Sequence, residues 1–117
     1  MKTFTTIAEG VSYTIDVGQD KRENWRLMDN ADPADIWFHA NGSPSAHVIL
    51  HAPESGVVPI SIVRFCAEKT KCLDVIYTHV ANIRKGRHVG EAIILDTKKV
   101  HRNIMRSYSN EPIQEKR

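Results

Sequence analysis

Residues 35–51 read Asp35-Ile36-Trp37-Phe38-His39-Ala40-Asn41-Gly42-Ser43-Pro44-Ser45-Ala46-His47-Val48-Ile49-Leu50-His51, and the register of this stretch decides the fold. Two strand-like runs, Asp35 to Ala40 and Ala46 to His51, flank Asn41-Gly42-Ser43-Pro44-Ser45. Asn-Gly followed by Ser-Pro is strong turn chemistry, so the runs are expected to pair as a hairpin, with the turn type left open. Side chains alternate across a strand with a period of two. Ile36, Phe38 and Ala40 therefore share one face, and Asp35, Trp37 and His39 the other; Ala46, Val48 and Leu50 oppose His47, Ile49 and His51. With the apolar sets turned to the core, the opposite face collects Asp35, Trp37, His39, His47 and His51. That set is too polar for a core and too aromatic for an inert surface. It is expected to lie open.

Working outward, Val11 to Val17 places an apolar residue at every second position, and with Phe4 to Ile7 across Glu9-Gly10 it predicts a starting hairpin. Asp20 can cap a helix, with Glu23 completing a capping box and Trp25 and Met28 on one face. That helix should end before Asp32-Pro33. Pro53 to Pro59 reads as a loop. A second helix is expected from about Ile60 to Lys71, with Val63, Cys66, Ala67 and Thr70 inward. Asp74 to Val80 is a strand, Ile83 to Val89 a basic loop, and Glu91 to Asp96 with Lys99 to Ile104 completes the sheet. The predicted fold is α+β: a largely antiparallel sheet with two helices packed to one side.

The chain has 117 residues with 41% apolar and 26% charged content, ordinary values for one globular domain and unlike those of a disordered chain. A single domain over residues 1–117 is expected, its last ten or so residues forming a flexible tail. No apolar run reaches the ~18–20 residues of a membrane span, and no secretory signal is evident, which makes the cytoplasm the expected compartment. Cys66 and Cys72 have no partners at zinc-site spacing, so two free thiols are expected. Residues 1–61 hold four Lys/Arg against eight Asp/Glu, net −4, whereas residues 62–117 hold twelve against six, net +6. That asymmetry points to an anionic partner.

Several chemistries could use the Trp37 face. Exposed rings stack on unpaired bases. Histidines with a carboxylate could hold zinc with a position open for water, although no H-x-H or H-E-x-x-H spacing preorganises two ligands. Ser43 or Ser45 beside His47 could form a nucleophile and base, although nothing marks a nucleophile elbow. Structural roles stand beside these: Trp37 covered by a helix, and the histidines bonded to backbone.

The segments Asp35-Ile36-Trp37-Phe38-His39 and Ser43-Pro44-Ser45-Ala46-His47-Val48-Ile49-Leu50 resemble the D-x-W-[FL]-H strand and following S-H-V or A-H-V turn of the NFACT-R domain. This is the predicted RNA-binding module of ribosome-quality-control factors. Gly18, Lys21, Glu23 and Asn24 match its G-x-x-K-x-E-N segment, and Val75, Ile76, Tyr77, Thr78, Asn82, Ile83, Lys85 and Gly90 match a later one. The resemblance is strongest to a stand-alone short form that usually precedes a coiled coil, relatives of which have been linked to nucleic acids including DNA. The chain departs from the pattern at His51, where many members have arginine, and in a shorter, proline-free loop from Arg84 to Val89.

The resemblance implies a non-catalytic nucleic-acid-binding domain with no cofactor or metal. Its expected partner is RNA (tRNA or rRNA) in translation or ribosome quality control, with the ribosome as a further partner. DNA or a protein surface is the alternative, and a His/Asp metal-dependent phosphate-ester hydrolase a more distant one. Lys21, Arg84, Lys85 and Arg87 are expected to contact phosphates, and Trp37, His39, His47 and Tyr77 to contact bases or riboses.

Overall fold

The computed structural model describes residues 1–53 and 56–105; the expected tail lies outside them. The elements follow in the order β1 (Lys2–Ala8), β2 (Val11–Val17), α1 (Lys21–Asn30), β3 (Ile36–Ala40), β4 (Val48–Leu50), α2 (Ile60–Glu68), β5 (Asp74–His79), β6 (Ile83–Lys85), β7 (Ala92–Ile94) and β8 (His101–Ile104). Six strands form one sheet in the order β1-β2-β4-β3-β5-β8, and every pairing in it is antiparallel. The fold is mixed α+β. Among the described residues, no helix is long and apolar enough to cross a membrane.

The opening hairpin forms as expected. Glu9 and Gly10 both take positive φ, 53° and 79°, the backbone that matches a tight turn to the twist of its strands. The central hairpin forms too, with Trp37 opposite Ile49 and Phe38 opposite Val48. All four residues predicted to line the inner side of the second helix, Val63, Cys66, Ala67 and Thr70, are buried. Burial pushes the Cys66 thiol up to about 12, so it stays protonated and inert, and both cysteines are free.

Two expectations about layering are corrected. The helices do not share a side. Helix α2 packs Ile62, Val63, Cys66 and Ala67 against Ile15, Phe38, Val48 and Leu50. Helix α1 packs Leu27 and Met28 against Trp37 and Ile49, which point to the other face. Phe38 and Trp37 are adjacent and alternate across the sheet, and both are large, so both faces need a cover. The stretch from Glu91 to Asp96 does not join the main sheet. Strand β7 pairs with β6 as a separate hairpin, Arg84 opposite Ile93, and Ile83 and Ile94 join α1 over the Trp37 face. The predicted basic loop is thus a strand over its first three residues.

Candidate nucleic-acid interface

The turn before α1 and the segment before β4 are locked together. Asp20 caps the helix by accepting from the Glu23 backbone N–H at 2.8 Å. Glu23 reaches back to the Gln19 N–H at 2.9 Å and also holds the N-terminal ammonium at 2.7 Å. The ammonium and these bonds keep the Glu23 carboxyl below its ordinary range. Asn24 Oδ1 accepts from the His47 N–H at 3.2 Å, while the Gly18 N–H donates to the His47 carbonyl at 3.0 Å. Gly18 is needed because a Cβ there would collide with the Asn24 amide. Three of the four residues matching G-x-x-K-x-E-N therefore have structural roles, and Lys21 is left facing outward.

Trp37 is 2% exposed and His47 1% exposed, so neither ring forms an open stacking platform. This overturns the expectation of an open face. Trp37 Nε1–H donates to His47 Nδ1 at 3.1 Å, which places the histidine proton on Nε2, bonded to the Gly90 carbonyl. Burial, aided by the neighbouring His39 and opposed by the Gly90 bond, pulls His47 down to about 3. It is a neutral core histidine. His39 is half-buried, stacks on Trp37 at 5.4 Å with an 18° interplanar angle, and meets His47 edge-on at 5.0 Å. His39 Nδ1–H donates to the Ala40 carbonyl at 2.8 Å, leaving Nε2 as an acceptor. Burial lowers the pKa of this histidine despite that bond, so it too is uncharged at neutral pH.

These rings floor a groove of about 640 Å³ between the 42–45 turn, the start of α1 and the limb from Val89 to Ala92. Lys21, Trp37, His39 and His47 all line it. Gly90 makes the groove narrow: its φ is +90°, and an added Cβ would sit 2.6 Å from Lys21 Cβ. Glu91 also lines the groove, its carboxylate accepting from the Arg87 N–H at 2.9 Å and the His88 N–H at 3.3 Å. Sequence reasoning missed Asn24, Gly90 and Glu91 as groove residues. The matches to the NFACT-R segments flag Asn24 and Gly90; nothing local signals that residue 90 meets residue 21.

The remaining predicted residues are dispersed. Arg87 is exposed in the turn between β6 and β7, whose far limb walls the groove. Arg84 is exposed on β6, where Ile83 turns inward. Lys85 is tied to Asp29 at 2.7 Å and lies 5.1 Å over the Trp25 ring, whose Nε1–H donates to the Glu91 carbonyl at 2.9 Å. Lys85 thus helps clamp the hairpin to α1. Tyr77 does not belong to the groove. It projects to the α2 side, stacked between Phe38 at 5.1 Å and His101 at 5.2 Å.

Asp35 and His51 also leave the Trp37 rings. Asp35 accepts from the Asp32 and Ala52 N–H groups, both at 2.9 Å, and holds His51 Nδ1 at 3.1 Å. His51 Nε2 meets Asp16 at 2.7 Å. Partial burial lowers His51, but the bonds to Asp16 and Asp35 and their charges outweigh it and leave its pKa raised. Ser45 Oγ accepts from the Ala40 N–H at 3.0 Å and donates to the Ala46 carbonyl at 2.9 Å, and both His47 nitrogens are occupied elsewhere. No serine–histidine relay is assembled here. Among the described residues, no group of three or more His, Cys, Asp or Glu is arranged to hold a metal ion.

The scaffold is an antiparallel sheet covered on both faces, with a groove where helix, turn and hairpin meet. No family model matches the chain. It is similar to coiled-coil domain-containing protein 25 of Danio rerio, 32% identical over 70% of this chain and 46% of that protein. It is also similar to the coiled-coil domain-containing protein 25 homolog of Dictyostelium discoideum, 30% identical over 75% of this chain and 50% of that protein. The chain spans about half the length of the curated relatives it matches. Among solved structures, the C-terminal part of the fibronectin/fibrinogen-binding protein from Streptococcus suis superimposes with a TM-score of 0.68. That match has 19% identity and covers 86% of this chain and 44% of that one, a likeness of fold.

Proposed function

We propose that this domain binds nucleic acid without catalysis, RNA in preference to DNA, mainly through phosphate contacts and groove shape. The observation that carries the reading is the pairing of cations with an acceptor. Lys21 and neutral His39, with Nε2 as its acceptor, both line the groove, and Arg87 is exposed on the hairpin that walls it. Cations neutralise phosphates without reading sequence. An acceptor nitrogen suits a ribose 2′-hydroxyl, which DNA lacks. The resemblance to the NFACT-R domain supports the same reading, with tRNA or rRNA as the RNA, ribosome quality control as the setting and the cytoplasm as the compartment. Base stacking takes a minor part, because the Trp37 indole is covered.

A filter-binding titration with tRNA and mixed-sequence duplex DNA at two salt concentrations tests this. The reading expects tighter binding of tRNA, with affinity falling linearly in log salt. Absence of binding to either nucleic acid at physiological salt overturns it.

A further inference from the structure

The groove shares Lys21, Asn24, Pro44 and Ser45 with an adjoining cavity. This saddle of about 340 Å³ lies between Gly18–Lys21 and Pro44–Ala46. The saddle shares Gly18, Gln19 and Ala46 with a second cavity of about 500 Å³ near the start of β1 and the end of α2. Asp20 lines the saddle, with its Oδ1 engaged as the helix cap. The second cavity is lined by Lys2, Lys69 and Lys71, and no carboxylate lines it among the described residues. We propose that this lysine pocket is the second half of one continuous trough, and that it takes the phosphodiester backbone of the same single RNA strand that occupies the His39 groove. The inference rests on the RNA reading above and adds to it a strand path and three phosphate-binding lysines.

Two features of the pocket go beyond a scatter of surface lysines. The Lys69 ammonium lies 4.4 Å from the Phe4 ring centre and 4.5 Å from that of Phe65, and the two rings meet edge to face at 6.2 Å. A lysine seated on two rings has already given up much of its rotamer freedom, so less is lost when an anion arrives. Lys71 has φ +62°, in the left-handed region where glycine or asparagine is usual after a helix. A residue kept in an unfavoured conformation is a pointer to function. Lysines just beyond a helix also interact favourably with its C-terminal dipole. That role would register in stability; the proposed one registers in affinity.

The test is fluorescence anisotropy with labelled oligouridylates of about 4 and about 16 nucleotides, bracketing the span of small single-strand-binding domains. The unmodified chain is compared with the Lys69→Met, Lys71→Gly double variant. Methionine keeps an unbranched apolar stem against the rings, and glycine relieves the positive φ, so the fold is retained. The proposal expects the longer strand to bind the unmodified chain more tightly than the shorter. In the variant its affinity should fall by roughly 5- to 20-fold, and its salt slope by ~0.7 for each phosphate no longer neutralised. The shorter strand should be unaffected. Equal binding of the longer strand by both proteins overturns the second pocket while the RNA reading stands, and so does an equal loss on both strands. If the unmodified chain binds neither strand, the RNA reading fails and the trough falls with it.

Discussion

The Trp37 indole N–H donates to His47 Nδ1 at 3.1 Å, and through the other nitrogen of that ring β3 is tied to the Gly90 carbonyl of the β6–β7 hairpin. One buried imidazole thus joins the sheet to the element that walls the groove. The pair that reads as a ligand platform in the sequence is the structural floor of the site, and His39 is the ring that remains accessible.

Removing the indole should therefore unfold the protein more readily. Trp37→Ala is expected to cost about 3–5 kcal/mol, the range for a large buried aromatic. Trp37→Phe keeps most of the bulk but strips His47 of its donor, for about 1–3 kcal/mol. Urea denaturation followed by circular dichroism measures both. A Trp37→Ala protein with an unchanged midpoint would contradict the buried assignment.

The histidines set opposed pH limbs of stability. His47 titrates near 3 when folded and at its ordinary value of 6.5 when unfolded, so below about pH 6.5 the unfolded chain binds the extra proton. Its contribution is complete above 6.5 and is lost progressively as pH falls towards 3. His39 is lowered as well and adds in the same direction. His51 is raised, so its stabilisation is complete below 6.5 and is lost as pH climbs through its folded value. Unfolding free energy measured against pH should decline on both sides of the neutral region. His51→Gln should abolish the alkaline decline and leave the acid limb; persistence of the alkaline limb in that variant would sink the assignment.

The cations are unequal. Lys85 is held by Asp29 and Trp25, and so has less to offer a phosphate than Lys21, which lines the groove. Lys21→Ala should weaken tRNA binding by several-fold and lower the salt slope by ~0.7–0.9. Lys85→Ala should weaken binding less, and should cost at most about 1 kcal/mol of stability because its ion pair is exposed. Parallel titrations of the two variants at two salt concentrations give the order, and a larger loss for Lys85→Ala would reverse it.

His39→Phe isolates the acceptor. The ring can still stack on Trp37, while Nε2 is gone. Affinity for a single-stranded RNA should drop by about 1 kcal/mol, the usual worth of one hydrogen bond, and affinity for the DNA of the same sequence should not change. Equal losses on both strands would show that His39 does not sense the ribose.

What the sequence disclosed follows the range of the interactions. The alternation in Val11–Val17, the Asp20 cap and the Asn41–Ser45 turn are local signals, and each element they predicted is present. The faces of β3 and β4 were also legible, because parity alone assigns them. Which face is open was not. That depends on α1 and the β6–β7 hairpin folding over Trp37, and on Asn82, which donates to the Asp96 carbonyl at 2.9 Å and accepts from its N–H at 2.9 Å to place the end of β7. Tyr77 went to the opposite face for the same kind of reason: its parity on β5 was readable, but its registration with Phe38 across the sheet was not.

The most direct measurement of the central claim is a heteronuclear NMR titration of the domain with a single-stranded RNA of about 4 nucleotides, short enough to fill the His39 groove alone, following backbone amide shifts. Saturable shifts concentrated at Lys21–Asn24, His39–His47 and Val89–Glu91 are the predicted result. Shifts centred instead on the exposed face of α2, or no saturable shifts at all, would contradict an RNA-binding groove built around His39.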